Sequence, residues 1–180
     1  MGMTALEGLV MGTRCGDLDP GVPGFVARAL GLTLAQIEAA LYSDSGLKGL
    51  SGESSDLRIV EKRAGEGVGA AKLAMQVHAY RVRKYIGAYA AAMGGCDAVA
   101  FTGGAGENSA ALRRRIVDGL EFIGLELDEE RNRAYSPNTE IAQLQTSRSA
   151  VAVLVVQARE QLAIARETFR ALNDQASGLV

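Results

Sequence analysis

The sequence is poor in the residues that build disulfide frameworks and zinc centres. Its 180 residues include two cysteines, one histidine and no tryptophan. Cys15 and Cys96 lie far apart and form no C-x-x-C motif, so neither a disulfide framework nor a zinc site is predicted. No apolar run approaches the ~20 residues that span a bilayer, and the N-terminus lacks a basic region followed by a signal-peptide core. These absences predict a cytoplasmic protein with no membrane segment.

Charge of one sign is also scarce. The chain carries 19 basic and 21 acidic residues, for a formal net charge of -2. Without a broad basic stripe, nucleic acid is not a predicted partner. Three consecutive arginines (Arg113, Arg114 and Arg115) are interpreted as a solvated helix face in preference to a phosphate contact. With 48% hydrophobic residues, the chain has the composition of one globular domain or one large lobe of a bilobal protein.

Helical and strand patterns alternate along the chain, which favours an α/β fold. Residues 68–93 predict a long helix, because apolar residues recur every three or four positions. Short apolar runs at 97–102 and 149–156 predict buried strands, and residues 159–172 predict a closing helix with an apolar stripe. Residues 173–180 lack periodicity and are predicted to fray. The core stripe of the long helix comprises Met75, Ala79, Val82, Ile86, Ala90 and Met93.

A glycine-rich stretch, "FTGGAGENS" (residues 101–109), connects the first predicted strand to a helix. Its glycines would allow a phosphate to approach the backbone, whereas a tight turn without a ligand explains them equally well. The dinucleotide pattern G-x-G-x-x-G fails at Ser109, and no P-loop motif is present. Asn108 or Ser109 is predicted to cap the helix that follows. "LELD", after Gly124, is predicted to be a short strand.

Four other positions are candidates for chemistry. Arg14, in "MGTRCGDLDP", is suited to a carboxylate or phosphate, but a local ion pair with one of the aspartates that follow is the simpler interpretation. "SGESSDLR" (residues 51–58) is typical of a capped helix start, with nucleoside binding as the alternative. His78, in the long helix, is interpreted as structural. Glu160 lies near the N-terminus of the closing helix, where a metal role is compatible with the sequence but not indicated by spacing.

Taken in order, five segments of the sequence resemble the C-terminal half of the acetate kinase family. The resemblance covers nearly the whole chain and implies a ribonuclease H-like α/β lobe of the acetate and sugar kinase, Hsp70 and actin superfamily. It implies reversible phosphoryl transfer between ATP and acetate, giving acetyl phosphate and ADP. The segments are "MGMTALEGLVMGTRCGDLDP", "GLSGESSDLR", "VRKYIGAYAAAMGGCDAVAFTGGAGENS", "GLEFIGLELDEERN" and "EQLAIARET".

The resemblance also implies roles for individual residues. Arg14 is implied to stabilise charge on the transferred phosphoryl group, which replaces the simpler interpretation of this residue. Glu160 is implied to help hold Mg²⁺, although the carboxylate that commonly follows it in the family is Gln161 here. The implied nucleotide contacts are Asp56, Leu57 and Arg58 beside the adenosine, and Gly104, Ala105, Gly106, Glu107 and Asn108 in the loop that matches the family's "GIGEN".

Several family motifs have no counterpart in the sequence, namely "N-x-G-S-S-S-x-K", "H-G-G", "F-H-G-T-S-H" and "H-L-G-N-G". The catalytic aspartate, the histidines and the second arginine that these motifs carry in the family are therefore also missing. The resemblance therefore implies that residues 1–172 are a partial nucleotide-binding lobe, whose partners are the small-molecule substrates, the absent N-terminal lobe and a second copy in a homodimer of the complete protein. Two alternatives stay open: a non-catalytic nucleotide-binding or interaction module, and a propionate or butyrate kinase.

Overall fold

The computed structural model describes residues 2–137 and 139–177. Within these ranges the chain folds into helices and three short strands, and the regular elements before the first strand are all helices. A single turn of 3-10 helix, Glu121–Ile123, follows α7. The elements are α1 (Gly21–Leu30), α2 (Leu34–Ser43), α3 (Gly46–Ser51), α4 (Leu57–Gly65), α5 (Gly69–Met93), β1 (Ala98–Phe101), α6 (Gly103–Asn108), α7 (Ala110–Val117), α8 (Glu129–Ala134), β2 (Ile141–Gln143), β3 (Ala152–Val156) and α9 (Glu160–Ser177).

The three strands form a mixed sheet in the order β1-β3-β2. β1 and β3 are parallel, with Phe101 opposite Val155, and β2 runs antiparallel to β3. The strands predicted from the two apolar runs are confirmed as β1 and β3. The sequence did not predict β2, whose three residues are too few for a period-2 pattern to be recognised.

α5 is the central helix of the core. Its 25 residues begin where the sequence predicted and end at Met93, and Gly94 caps the helix in a left-handed conformation with φ 75°. Met75 and Ala79 are fully buried in a cluster with residues of α4, α7 and β3. The predicted stripe is wrong at its last position, because Met93 is 69% exposed where α5 extends past the core.

The closing helix differs from its prediction in length and packing. α9 runs to Ser177, so it includes part of the segment predicted to fray, while residues 178–180 lie outside the described residues. Its apolar residues Leu162, Ile164, Phe169 and Leu172 are all exposed, so the predicted stripe does not pack on this core. The division of the chain at residue 172 stays a prediction.

Two shorter predictions around the sheet are corrected. The "LELD" segment is not a strand, because only an isolated bridge joins Leu127 to Gln145. The glycine-rich turn is helical, since α6 occupies most of it.

Among the described residues, no single helix is long and apolar enough to span a membrane. Of these helices, only α1 and α2 taken together reach the length and hydropathy of a membrane span, and they are bent by 114° relative to each other.

Candidate functional site

The carboxyl ends of β1 and β3 meet at one edge of the sheet, because the two strands are parallel neighbours. α6 follows β1, and the segment that leads into α9 follows β3. In open α/β sheets, ligands bind in the crevice outside the carboxyl ends of the strands. The fold thus brings two of the predicted site segments, residues 104–108 and Glu160, to the same edge.

The three glycines of α6 lie in different backbone environments. Gly103 has φ +71°, a backbone conformation that residues with a side chain rarely adopt. A Cβ on Gly106 would lie 3.2 Å from the backbone carbon of Phe101, so a glycine allows α6 to pack closely on the end of β1. A Cβ on Gly104 would meet nothing within 4 Å. Gly104 therefore lies against open space, where a ligand could approach the backbone.

A buried arginine holds the last residues of α6. Arg113, on α7, is 1% exposed and donates from Nη1 to the carbonyl oxygens of Gly106 (2.8 Å) and Glu107 (2.9 Å). Its Nε donates to Oδ1 of Asn132 (2.8 Å), and the guanidinium lies 5.2 Å from the ring centroid of Tyr135. Burial lowers the pKa of Arg113 below its usual value. The predicted solvated face is wrong for Arg113, which fixes α6 through neutral oxygens.

We expect Arg113→Ala to lower the free energy of unfolding by ~3 kcal/mol, because the change leaves buried carbonyl oxygens without a donor and opens a cavity. Arg114→Ala is the matched control. Arg114 is 61% exposed and forms a surface ion pair with Glu129, so its loss is expected to cost at most ~1 kcal/mol. Urea unfolding of the two variants measures the difference, and equal costs would contradict the structural role of Arg113.

The polar side chains of α6 bond to the backbone. Glu107 Oε1 accepts from the backbone N–H of Gly103 (2.8 Å) and from that of Ala158 (2.8 Å), which lies just before α9. Asn108 Nδ2 donates to the carbonyl oxygen of Gly104 (2.9 Å). Ser109 caps α7 by accepting from the N–H of Leu112, which confirms the predicted cap.

The predicted adenosine segment is a capped helix start, as one of its two interpretations proposed. Asp56 accepts from the backbone N–H of Arg58 (2.9 Å), and its carboxylate forms an ion pair with the same arginine at 2.6 Å. These bonds lower the pKa of Asp56 to about 2. Arg58 is 87% exposed, so one face of its guanidinium stays open to a ligand. Leu57 is partly buried and packs against the core.

A side-chain hydrogen bond joins α4 to the junction of α6 and α7, close in sequence to the two predicted nucleotide segments. Ser109 Oγ donates to Oε1 of Glu61 at 2.8 Å. Glu61 lies on α4, three residues after Arg58, and Ser109 directly follows Asn108. The structure therefore places the middle of α4 beside the junction of α6 and α7. Sequence reasoning missed this bond, because a partner 48 residues away leaves no local pattern.

Among the described residues, the side chain of Arg14 is not bonded to these groups. Its Nη1 donates to the carbonyl oxygen of Ala5 (3.1 Å), and it lines an open cavity of about 580 Å³ together with Tyr85 and Tyr89. The interpretation as a local ion pair is wrong: Asp17 pairs instead with Arg81 (3.0 Å). Within residues 2–137 and 139–177, no hydrogen bond or ion pair joins Arg14 to α4, α6 or α9.

His78 has a structural contact. Its Nδ1 lies 2.8 Å from the carbonyl oxygen of Val10, so this nitrogen carries the proton and donates it. Burial lowers the pKa of His78 below its usual value. The imidazole ties the segment that precedes Arg14 to α5, in agreement with its interpretation as structural.

Glu160 is the one carboxylate that the sequence singled out for a metal. It is exposed at the start of α9 and, in the described part of the chain, has no hydrogen-bond or ion-pair partner. No group of three or more His, Cys, Asp or Glu among the described residues is placed to hold a metal ion. Mg²⁺ commonly binds proteins through one or two carboxylates plus substrate phosphates. The free carboxylate fits a metal that arrives bound to a nucleotide.

These features define an α/β lobe with a glycine-rich segment at the carboxyl edge of its sheet. The chain belongs to the acetokinase family, whose model matches residues 1–166. It is 46% identical over 172 residues to an acetate kinase of Heliobacterium modesticaldum and 45% identical over 168 residues to one of Methanosarcina thermophila. These alignments cover 96% and 93% of the chain.

Solved structures agree with this assignment. The acetate kinase of Porphyromonas gingivalis superimposes with a TM-score of 0.87 at 44% identity, over 96% of this chain and 43% of the other. A propionate kinase from Francisella tularensis gives a TM-score of 0.83 at 36% identity, over 93% and 42%. The chain spans 42% and 40% of the two curated relatives above. The fold is therefore that of part of an acetate kinase, a helix-rich α/β lobe with a small mixed sheet.

Proposed function

We propose that the chain is the nucleotide-binding portion of an acetate kinase, an ATP:acetate phosphotransferase that forms acetyl phosphate and ADP reversibly. The observation that carries the proposal is the glycine-rich segment at the carboxyl edge of β1, with open space beside Gly104 and α4 bonded alongside. Similarity to acetate kinases over 96% of the chain supports it. ATP and ADP are then substrates of the complete enzyme, and the protein is cytoplasmic.

The roles proposed for individual residues are those that the similarity to acetate kinases implies. Residues 104–108 flank the nucleotide phosphates, with Gly104 nearest, because a glycine there leaves the backbone accessible. Asp56, Leu57 and Arg58 flank the adenosine, where the exposed guanidinium stacks on the base. Arg14 stabilises charge on the transferred phosphoryl group. Mg²⁺, held by Glu160 and the phosphates, would neutralise the phosphate charge.

The acceptor and the assembly also belong to the proposal. Acetate is the proposed acceptor, because the two curated relatives at 46% and 45% identity are acetate kinases, whereas the F. tularensis propionate kinase is 36% identical. The similarity to the latter keeps propionate as the second candidate. The complete enzyme pairs with a second copy through this lobe, and the rest of the enzyme supplies the other side of the cleft.

We expect the chain to bind Mg·ADP weakly and two variants to bind it less tightly. Arg58→Ala removes the stacking cation and is expected to lower the affinity by roughly fivefold. Gly104→Val fills the space beside the backbone and is expected to lower it by about tenfold or more. Isothermal titration calorimetry measures both.

Matched controls come from elsewhere in the chain. Arg148 is 82% exposed and paired with Glu126, much as Arg58 is paired with Asp56, so Arg148→Ala tests the loss of a surface arginine. Gly65, on α4, also has nothing within 4 Å of an added Cβ, so Gly65→Val tests the added side chain. Equal losses in variants and controls, or no binding by the unaltered chain, would refute the proposed function.

A further inference from the structure

One carboxylate oxygen joins the two halves of the candidate site. Oε1 of Glu107 lies 2.8 Å from the backbone nitrogen of Gly103 and 2.8 Å from that of Ala158. Gly103 is the first residue of α6, whereas Ala158 belongs to the segment between β3 and α9, 51 residues away from Glu107. We propose that Glu107 is a positioning residue that clasps α6 to this segment and does not itself contact the nucleotide.

The strength of the two bonds supports a clasp. Hydrogen bonds from backbone N–H groups to an ionised carboxylate are stronger than those to a neutral oxygen. α6 contributes only six residues, so it has few internal hydrogen bonds to hold its orientation. The residue before it is extended, and Gly103 itself adopts a left-handed conformation. The hydrogen bond from α6 to the segment that follows β3 therefore fixes the orientation of α6, which the local backbone does not fix.

The arrangement also accounts for an acidic residue beside a proposed phosphate site. A free carboxylate there would repel the phosphates, whereas two N–H dipoles directed at Oε1 offset its charge. The same bonds occupy the N–H groups of Gly103 and Ala158, so these two donors are not open to a phosphate. Open backbone on α6 lies instead at Gly104, two residues before Gly106 packs on Phe101.

The clasp has a consequence for the second segment. Ala158 lies two residues before Glu160, so a fixed Ala158 limits where α9 begins relative to α6. On the other side, Arg113 holds the carbonyl oxygens of Gly106 and Glu107. α6 is thus held at both ends by side-chain bonds to its backbone, and Glu107 provides the bond that reaches the β3 side of the site.

Amide hydrogen exchange followed by NMR tests the clasp without any ligand. In Glu107→Ala, exchange at Gly103 and Ala158 is expected to accelerate by about tenfold or more, while Ala152, whose N–H donates to Asp97 in the sheet, keeps its rate. Glu107→Gln retains an acceptor oxygen and is expected to stay within about threefold of the unaltered chain. Glu121→Ala, which removes an exposed glutamate bonded to Gly119, is the control. Unchanged rates at Gly103 and Ala158 in Glu107→Ala would overturn the proposal.

A second arm uses Mg·ADP and rests on the proposed function. Glu107→Ala is expected to weaken binding by about fivefold and Glu107→Gln by less than about twofold. If Glu107→Gln binds Mg·ADP as weakly as Glu107→Ala while its exchange rates at Gly103 and Ala158 stay within about threefold of the unaltered chain, Glu107 acts on the ligand itself and the positioning role is wrong. If the unaltered chain binds no Mg·ADP, the proposed function fails, and the exchange rates still decide whether Glu107 is a clasp.

Discussion

The purified chain is expected to form no acetyl phosphate from acetate and Mg·ATP. Phosphoryl transfer requires the acceptor, the metal ion and the γ-phosphate to lie in line, with cationic groups around the phosphoryl oxygens. Arg14, the one cation proposed for this role, has no bond to α4, α6 or α9 within the described residues. His78 donates to a backbone carbonyl and is committed to structure. Under the proposed function the chain supplies the nucleotide side of the reaction, and its described residues provide too few groups to orient acetate and exclude water.

Trapping acetyl phosphate with hydroxylamine measures this activity directly. A complete acetate kinase under the same conditions is the positive control, and the chain is expected to give no signal above the buffer. Arg14→Ala distinguishes real turnover from contamination. Turnover by the chain that Arg14→Ala abolishes would show that the groups present suffice for catalysis, and the interpretation of the chain as a nucleotide-binding portion would be wrong.

Gly46→Ala is expected to be among the most destabilising single changes in the chain. Gly46 has φ +63°, and a Cβ there would collide with the carbonyl oxygen of Met11 and lie 2.8 Å from that of Arg14. The backbone N–H groups of Ser45 and Leu47 donate to Thr13 and Met11, so the collision strikes the turn that carries Arg14. Left-handed strain and overpacking together are expected to lower the free energy of unfolding by about 3 kcal/mol.

Gly52→Ala separates these two causes. Gly52 has φ +69°, close to that of Gly46, but a Cβ there would meet nothing within 4 Å. Its replacement is expected to cost about 1 kcal/mol, from backbone strain alone. Urea unfolding of both variants gives the comparison, and a Gly46→Ala cost no larger than that of Gly52→Ala would contradict the close packing of the Arg14 turn against α3.

Local patterns were enough to predict the main elements. α5 was predictable because its apolar residues repeat at helical spacing over many turns, and β1 and β3 because short apolar runs lie between glycines or turns. The cap at Ser109 follows from the chemistry of its hydroxyl. The order of the segments also led to the family, which the comparisons confirm.

Long-range contacts were beyond local patterns. Arg113 was placed on a solvated face, because arginine is rarely buried, and its partner Asn132 lies 19 residues away. Glu107 bonds to Ala158 across 51 residues. The apolar stripe of α9 correctly predicted a helix. The pattern does not indicate whether other residues of this chain pack against the stripe, and in the structure its apolar residues are exposed.

The measurement that tests the central claim most directly is a titration of the isotopically labelled chain with Mg·ADP, followed through its backbone amide signals. The claim is that the chain binds an adenine nucleotide between the start of α4 and α6. Saturable shifts concentrated at Asp56, Leu57, Arg58 and residues 104–108, and small elsewhere, are the predicted result. No saturable shifts, or shifts confined to other surfaces such as the cavity beside Tyr85 and Tyr89, would contradict the account.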